Sequence, residues 1–107
     1  MSAEIRVNNS ADGVWFELIT EGHSPLLASR RFGSLDDAMG GLEELTRHSA
    51  SRARYRASHS INGDCYFEFL DPSGATLATS RGFPSYKSLL VAEAAVPMVQ
   101  HAQILID

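Results

Sequence analysis

Sliding the chain against itself by 51 residues lays Trp15-Phe16-Glu17-Leu18-Ile19 over Tyr66-Phe67-Glu68-Phe69-Leu70. The register then runs on without a gap: Leu26 meets Leu77, Ser29-Arg30 meets Ser80-Arg81, Phe32 meets Phe83 and Ser34 meets Ser85. Seven of the 21 positions between 15–35 and 66–86 are identical, where chance gives about one or two. That is the mark of a tandem duplication. At 107 residues the chain is long enough for one core and too short for two. A single domain spanning 1–107 is therefore expected, built of two pseudo-symmetric repeats at about 1–50 and 51–107.

Each repeat reads as a hairpin followed by a helix. Trp15 to Thr20 and Cys65 to Leu70 are rich in aromatic and branched residues, which favour strands. Asp71-Pro72-Ser73-Gly74 is a strong turn signal, and Glu21-Gly22-His23-Ser24-Pro25 is its looser counterpart. Leu26 to Arg30 and Thr76 to Arg81 supply the return strands. Ser34 suits an N-cap, with Asp36 and Asp37 in the positive first turn. Leu35, Ala38, Met39, Leu42 and Leu45 then give the spacing of an apolar helical stripe. Tyr86, Leu89, Leu90 and Val96 repeat it after Ser85, but Glu93 stands where Leu42 would, and Pro97 must end or kink that helix. Ile5 to Asn8, Arg54 to His59 and Ile104 to Ile106 add short strands, for six or seven in all.

Alternation assigns the faces. Phe16, Leu18, Leu26 and Ala28, with Phe67, Phe69 and Leu77, are expected beneath the helices. Trp15, Glu17, Ile19 and Ser29, with Tyr66, Glu68, Leu70 and Ser80, are expected on the other face. Two helices cover one face of such a sheet, and an antiparallel sheet tolerates one wet face. An open face bearing aromatics is a binding surface in waiting.

The spacing Ser29-x-x-Phe32-x-Ser34, then Ala38, Gly41, Leu42 and Leu45, resembles the repeat of the YegP-like family of small bacterial tandem-repeat proteins. Ser80-x-x-Phe83-x-Ser85 with Leu89, Ala92, Glu93 and Val96 is its second copy, with Phe for the family's Tyr at 32 and 83. The resemblance spans nearly the whole chain. It implies an α+β fold: two tandem β-β-β-α repeats sharing one antiparallel sheet, two helices on one face, and the C-terminal strand Ile104 to Ile106 exchanged into the first repeat. It brings no activity, cofactor or catalytic residue with it.

The chemistry of the residues points the same way. The four histidines (His23, His48, His59, His101) lack metal-ligand spacing, and Cys65 alternates with Phe67 and Phe69 as a small core residue. No cofactor and no catalytic set is expected. A single cysteine, no basic-then-apolar leader and no long apolar run point to the cytoplasm. Glu17 and Glu68 are a repeated carboxylate pair, for which cross-strand pairing with arginine is the plainer account than acid–base catalysis. Eight of the nine basic residues are Arg, and Arg52, Arg54 and Arg56 alternate as if to line one side of a strand.

The expected function is a non-enzymatic binding or regulatory module. Its contact surface would be Trp15, Glu17, Tyr66 and Glu68, with the three arginines beside them. The partner would be a protein or a small acidic ligand, and the chain a monomer or homodimer. A nucleic-acid-associated protein using Arg52, Arg54 and Arg56 is the alternative, opposed by the net charge of −4. A small enzyme comes third.

Overall fold

The computed structural model describes residues 3–20 and 25–107. The turn expected at 21–24, with His23, lies outside the described residues. Seven strands form one sheet: β1 (Glu4–Ser10), β2 (Gly13–Ile19), β3 (Pro25–Ser29), β4 (Tyr55–His59), β5 (Cys65–Leu70), β6 (Thr76–Ser80) and β7 (Gln103–Ile106). Their order across the sheet is β4-β5-β6-β3-β2-β1-β7. Helices α1 (Leu35–His48) and α2 (Tyr86–Ala95) lie on one face. Six strands pair antiparallel, but β7 pairs parallel with β1, so the sheet is mixed rather than wholly antiparallel.

The two halves meet at β3 and β6, where Ala28 pairs with Thr79, its own counterpart 51 residues on. A local two-fold axis therefore passes through the middle of the sheet. Many contacts recur at that offset. Ser34 and Ser85 each cap a helix by accepting from the backbone N–H three residues on, both at 3.1 Å. Val14 bridges Phe32 as Cys65 bridges Phe83. Phe32 stacks on Phe16 and Phe83 on Phe67, with Arg30 and Arg81 each 5.3 Å over the outer ring.

A β-bulge corrects the expected faces. Leu18 pairs with Leu27 but Ile19 with Pro25; Phe69 pairs with Ala78 but Leu70 with Thr76. Leu26 and Leu77 are thus extra residues in their strands. Leu26 and Leu27 both turn into the core, as do Leu77 and Ala78. Beyond the bulge the alternation shifts by one. Ala28, expected inside, pairs with Glu17 and shares the open face with it. Ser29 and Ser80, expected outside, face the helix side, where each hydroxyl accepts the backbone N–H of Phe16 or Phe67 at 2.9 Å. Those hydrogen bonds satisfy donors that would otherwise be unpaired in the sheet.

The helices differ in length and support. α1 runs 14 residues and buries Ala38, Leu42 and Leu45. Gly41 lets it close on the sheet, since a Cβ there would sit 2.7 Å from the Phe32 ring. α2 runs ten residues and buries Leu89, then gives way to a 3-10 segment, Val96–His101, because Pro97 offers no N–H to continue it. Tyr86 and Leu90, expected on the apolar stripe, are exposed. The 3-10 segment packs against α1, giving that helix a lateral neighbour besides β2. No described helix is long and apolar enough to cross a membrane.

Candidate functional site: the open face of the sheet

Strand pairing fixes which side chains stand together on the face away from the helices. One row crosses the sheet: Leu105, Arg6, Glu17, Ala28, Thr79, Glu68 and Arg56, each paired with the next. The small Ala28 and Thr79 floor a trough over β3 and β6, and β2 and β5 form its walls. With strands about 4.8 Å apart, the wall strands stand about 14 Å from each other. Glu17 and Glu68 face across that gap.

The carboxylates have different surroundings. Glu68 accepts from Thr76 Oγ1 at 2.7 Å and from Arg56 Nε at 3.1 Å. The Thr76 hydroxyl first, then Arg56, hold its carboxyl below the usual range, so it stays ionised. Arg56 is its cross-strand partner, as the plainer reading of the pair expects. Glu17 stands opposite Arg6, but Arg6 turns to Glu4 at 3.1 Å, and among the described residues Glu17 takes only an Asn8 amide contact at 3.4 Å.

Trp15 and Tyr66 do not form one patch. β2 and β5 run in opposite directions, because each successive pairing from β2 through β3 and β6 to β5 is antiparallel. The two rings therefore sit at diagonal corners of the face. At the first corner Arg31 lies 5.7 Å over the Trp15 ring. At the second, the position matching Arg31 is Gly82. A depression of about 510 Å³ opens there, lined by Ser60, Asn62, Asp64, Tyr66, Glu68 and Thr79 among others. Ile19, assigned to this face by register, is buried and takes no part in it.

The arginines need correction. Arg52–Arg54 is a 3-10 turn, and the strand begins only at Tyr55. Three guanidinium groups therefore do not line one side of a strand. Arg54 reaches Glu44 at 2.6 Å and the Leu70 carbonyl at 2.8 Å, and lies over the Phe69 ring. Arg56 alone of the three stands on the open face. Arg6 belongs there as well and was missed. Before the first turn the matching pairings of the two halves lie 50 residues apart rather than 51, so a 51-residue slide sets Arg6 against Ala57 instead of Arg56. Counting back from Glu17 across the turn would have found it.

Cys65 is buried in the core. Among the described residues, no three His, Cys, Asp or Glu side chains converge as a metal site would need.

Neither a protein-family model nor a curated protein matches the sequence. Two solution NMR structures match in three dimensions. One is the protein of unknown function yegP from E. coli, with a TM-score of 0.89 and 20% identity, covering 100% of this chain and 94% of that one. The other is a UPF0339 protein from Shewanella oneidensis, with a TM-score of 0.88 and 21% identity, covering 99% and 92%. The chain shares the α+β fold of these two proteins over essentially its whole length.

Proposed function

We propose that the chain is a non-enzymatic binding module that holds an extended segment of a protein partner in the trough on its open sheet face. The observation that carries the reading is the row Arg6–Glu17–Ala28–Thr79–Glu68–Arg56. A floor of small side chains between carboxylate-bearing walls suits a segment with a basic side chain, whose cation would meet Glu17 first and share Glu68 with Arg56. Trp15 and Tyr66 would anchor the two ends of that contact, one at each corner.

The same geometry counts against an acidic ligand and against nucleic acid. Arg54 and Arg56 already have carboxylate partners, which leaves Arg52 to act alone. We read the chain as a cytoplasmic YegP-like tandem repeat of bacterial origin with its last strand exchanged between halves. The two similar folds, the contacts recurring at 51 residues and the β7–β1 pairing support that reading.

Affinity capture from extract with a charge-reversed variant tests the function. Glu17→Lys with Glu68→Lys should release a protein captured by the unchanged chain while the thermal midpoint stays within a few degrees. Trp15→Ala with Tyr66→Ala should weaken the same capture. Retention of that protein by both variants sinks the assignment. Retention on an oligonucleotide that is lost on replacing Arg52, Arg54 and Arg56 with Ala would move it to the nucleic-acid reading.

A further inference from the structure

The helix side holds a second feature, independent of the trough. A cavity of about 290 Å³ lies between the end of α1, the turn before β4, and α2, lined by Ser49, Ala50, Arg52, Tyr55, Leu90, Glu93, Ala94 and Pro97. We propose that it binds a small zwitterion of the α-amino-acid class, with Glu93 taking the ammonium, Arg52 the carboxylate, and Leu90 and Pro97 the side chain.

In the first half the matching place is filled by apolar side chains. There Leu42 and Ile5 are buried, 3% and 1% exposed, and complete the core. Their counterparts are Glu93 and Tyr55. The repeat shows that an apolar pair closes this space, so a carboxylate and a phenol in its place depart from the packing solution. Tyr55 keeps its ring in the core, edge-on to Phe67 and Phe69, and donates its hydroxyl to the Ser49 carbonyl at 2.5 Å. That ties down the cavity wall and uses up the phenol proton.

Glu93 and Arg52 are left without partners. Among the described residues neither side chain makes a hydrogen bond or an ion pair. Burial pushes the Glu93 carboxyl above its usual range, and Arg52 draws it part of the way back. Arg52 is exposed and Glu93 partly buried at the same cavity, so a ligand there can reach both charges. The larger cavity beside α1, about 540 Å³, lacks this property: there Arg30 is bound to Asp71 and Glu44 to Arg54. A simple amine in the Glu93 cavity would leave Arg52 unmatched, and a simple carboxylate would meet the Glu93 charge. A molecule carrying both groups satisfies both residues. At about 290 Å³ the cavity falls just short of the roughly 300–1,000 Å³ of drug-sized ligand sites, which suits a small ligand.

An NMR titration of the labelled chain tests this with glycine, leucine, methionine and phenylalanine, and with N-acetyl-leucine and leucine amide as blocked controls. Saturable shifts at Ser49–Arg52 and Leu90–Ala94 are expected for at least one free amino acid at millimolar concentration or below. Blocking either end should weaken binding roughly tenfold or more, the scale of one lost charged contact. Glu93→Gln and Arg52→Ala should weaken it similarly, with the rest of the spectrum unchanged. Equal binding of blocked and free forms would overturn the proposal, as would no saturable shift from any of the four. Shifts confined to the open sheet face would overturn it as well and leave the reading of that face standing.

Discussion

Leu42 and Glu93 hold matching places on two helices, yet one seals a core and the other lines a cavity. Arg31 and Gly82 differ in the same way at two corners of the sheet. One covers an indole ring, and the other leaves a depression beside a phenol. The elements common to both halves are the strand aromatics, the bulge leucines, the serine caps and the Phe32 and Phe83 rings. They bind each helix to the strands of its own half, and the β3–β6 pairing joins the two halves in one sheet. Other matching places differ inside the core, as at Leu27 and Ala78 or Val14 and Cys65, but there each half keeps a buried apolar side chain. The two halves share a frame of pairings and caps and differ in what closes the Leu42/Glu93 and Arg31/Gly82 places.

A reciprocal swap should break this comparison most visibly. Leu42→Glu should cost at least about 3 kcal/mol, since it puts a carboxyl without a partner into the core. Glu93→Leu should instead raise stability by about 1 kcal/mol, because it restores the apolar filling of the first half. Urea unfolding measures both. A loss of stability with Glu93→Leu would mean that Glu93 has a structural partner.

Ser80→Ala should cost about 1–3 kcal/mol by leaving the buried Phe67 N–H unpaired. Ser29→Ala, at the more open matching place, should cost less, and equal costs would remove the distinction. The two adjacent glycines of α1 separate packing from propensity. Gly41→Ala drives a methyl into the Phe32 ring and should lose about 1–3 kcal/mol. Gly40→Ala meets nothing and should gain about 0.5–1 kcal/mol from the lower entropy of the unfolded chain.

The smallest effect concerns the β5–β6 turn. The Ser73 hydroxyl first, with Arg30 and the Ser73 and Ala75 N–H groups, holds the Asp71 carboxyl down at about 2. A carboxyl depressed in the folded state stabilises above its ordinary value of 3.8, and that contribution fades as pH falls towards about 2. Asp71→Asn should flatten unfolding stability against pH over that window. An unchanged slope would contradict the hydrogen bonding at the turn.

Much of this frame was legible in the sequence. Alternating aromatics announced β2 and β5, and Ser34 and Ser85 announced where the helices begin. The bulges were not legible, because Leu26 and Leu77 are ordinary strand residues with no glycine or proline to mark a defect. Ala28, Ser29 and Ser80 were misplaced for that reason alone. Arg52-Ala53-Arg54 imitates strand alternation, and only its hydrogen bonding reveals a turn. Of the candidate site, Glu17 and Glu68 were found on the right face. Their place in one row depends on long-range register between β3 and β6, which no local pattern encodes. The diagonal placing of Trp15 and Tyr66 follows from the same pairing.

An NMR titration of the labelled protein with an extended, lysine-bearing peptide tests the trough most directly. Amide shifts should gather at Arg6, Glu17, Ala28, Thr79 and Glu68 and disappear in the Glu17→Lys, Glu68→Lys variant. Shifts centred on the helices, or an undiminished response from the variant, would contradict the account.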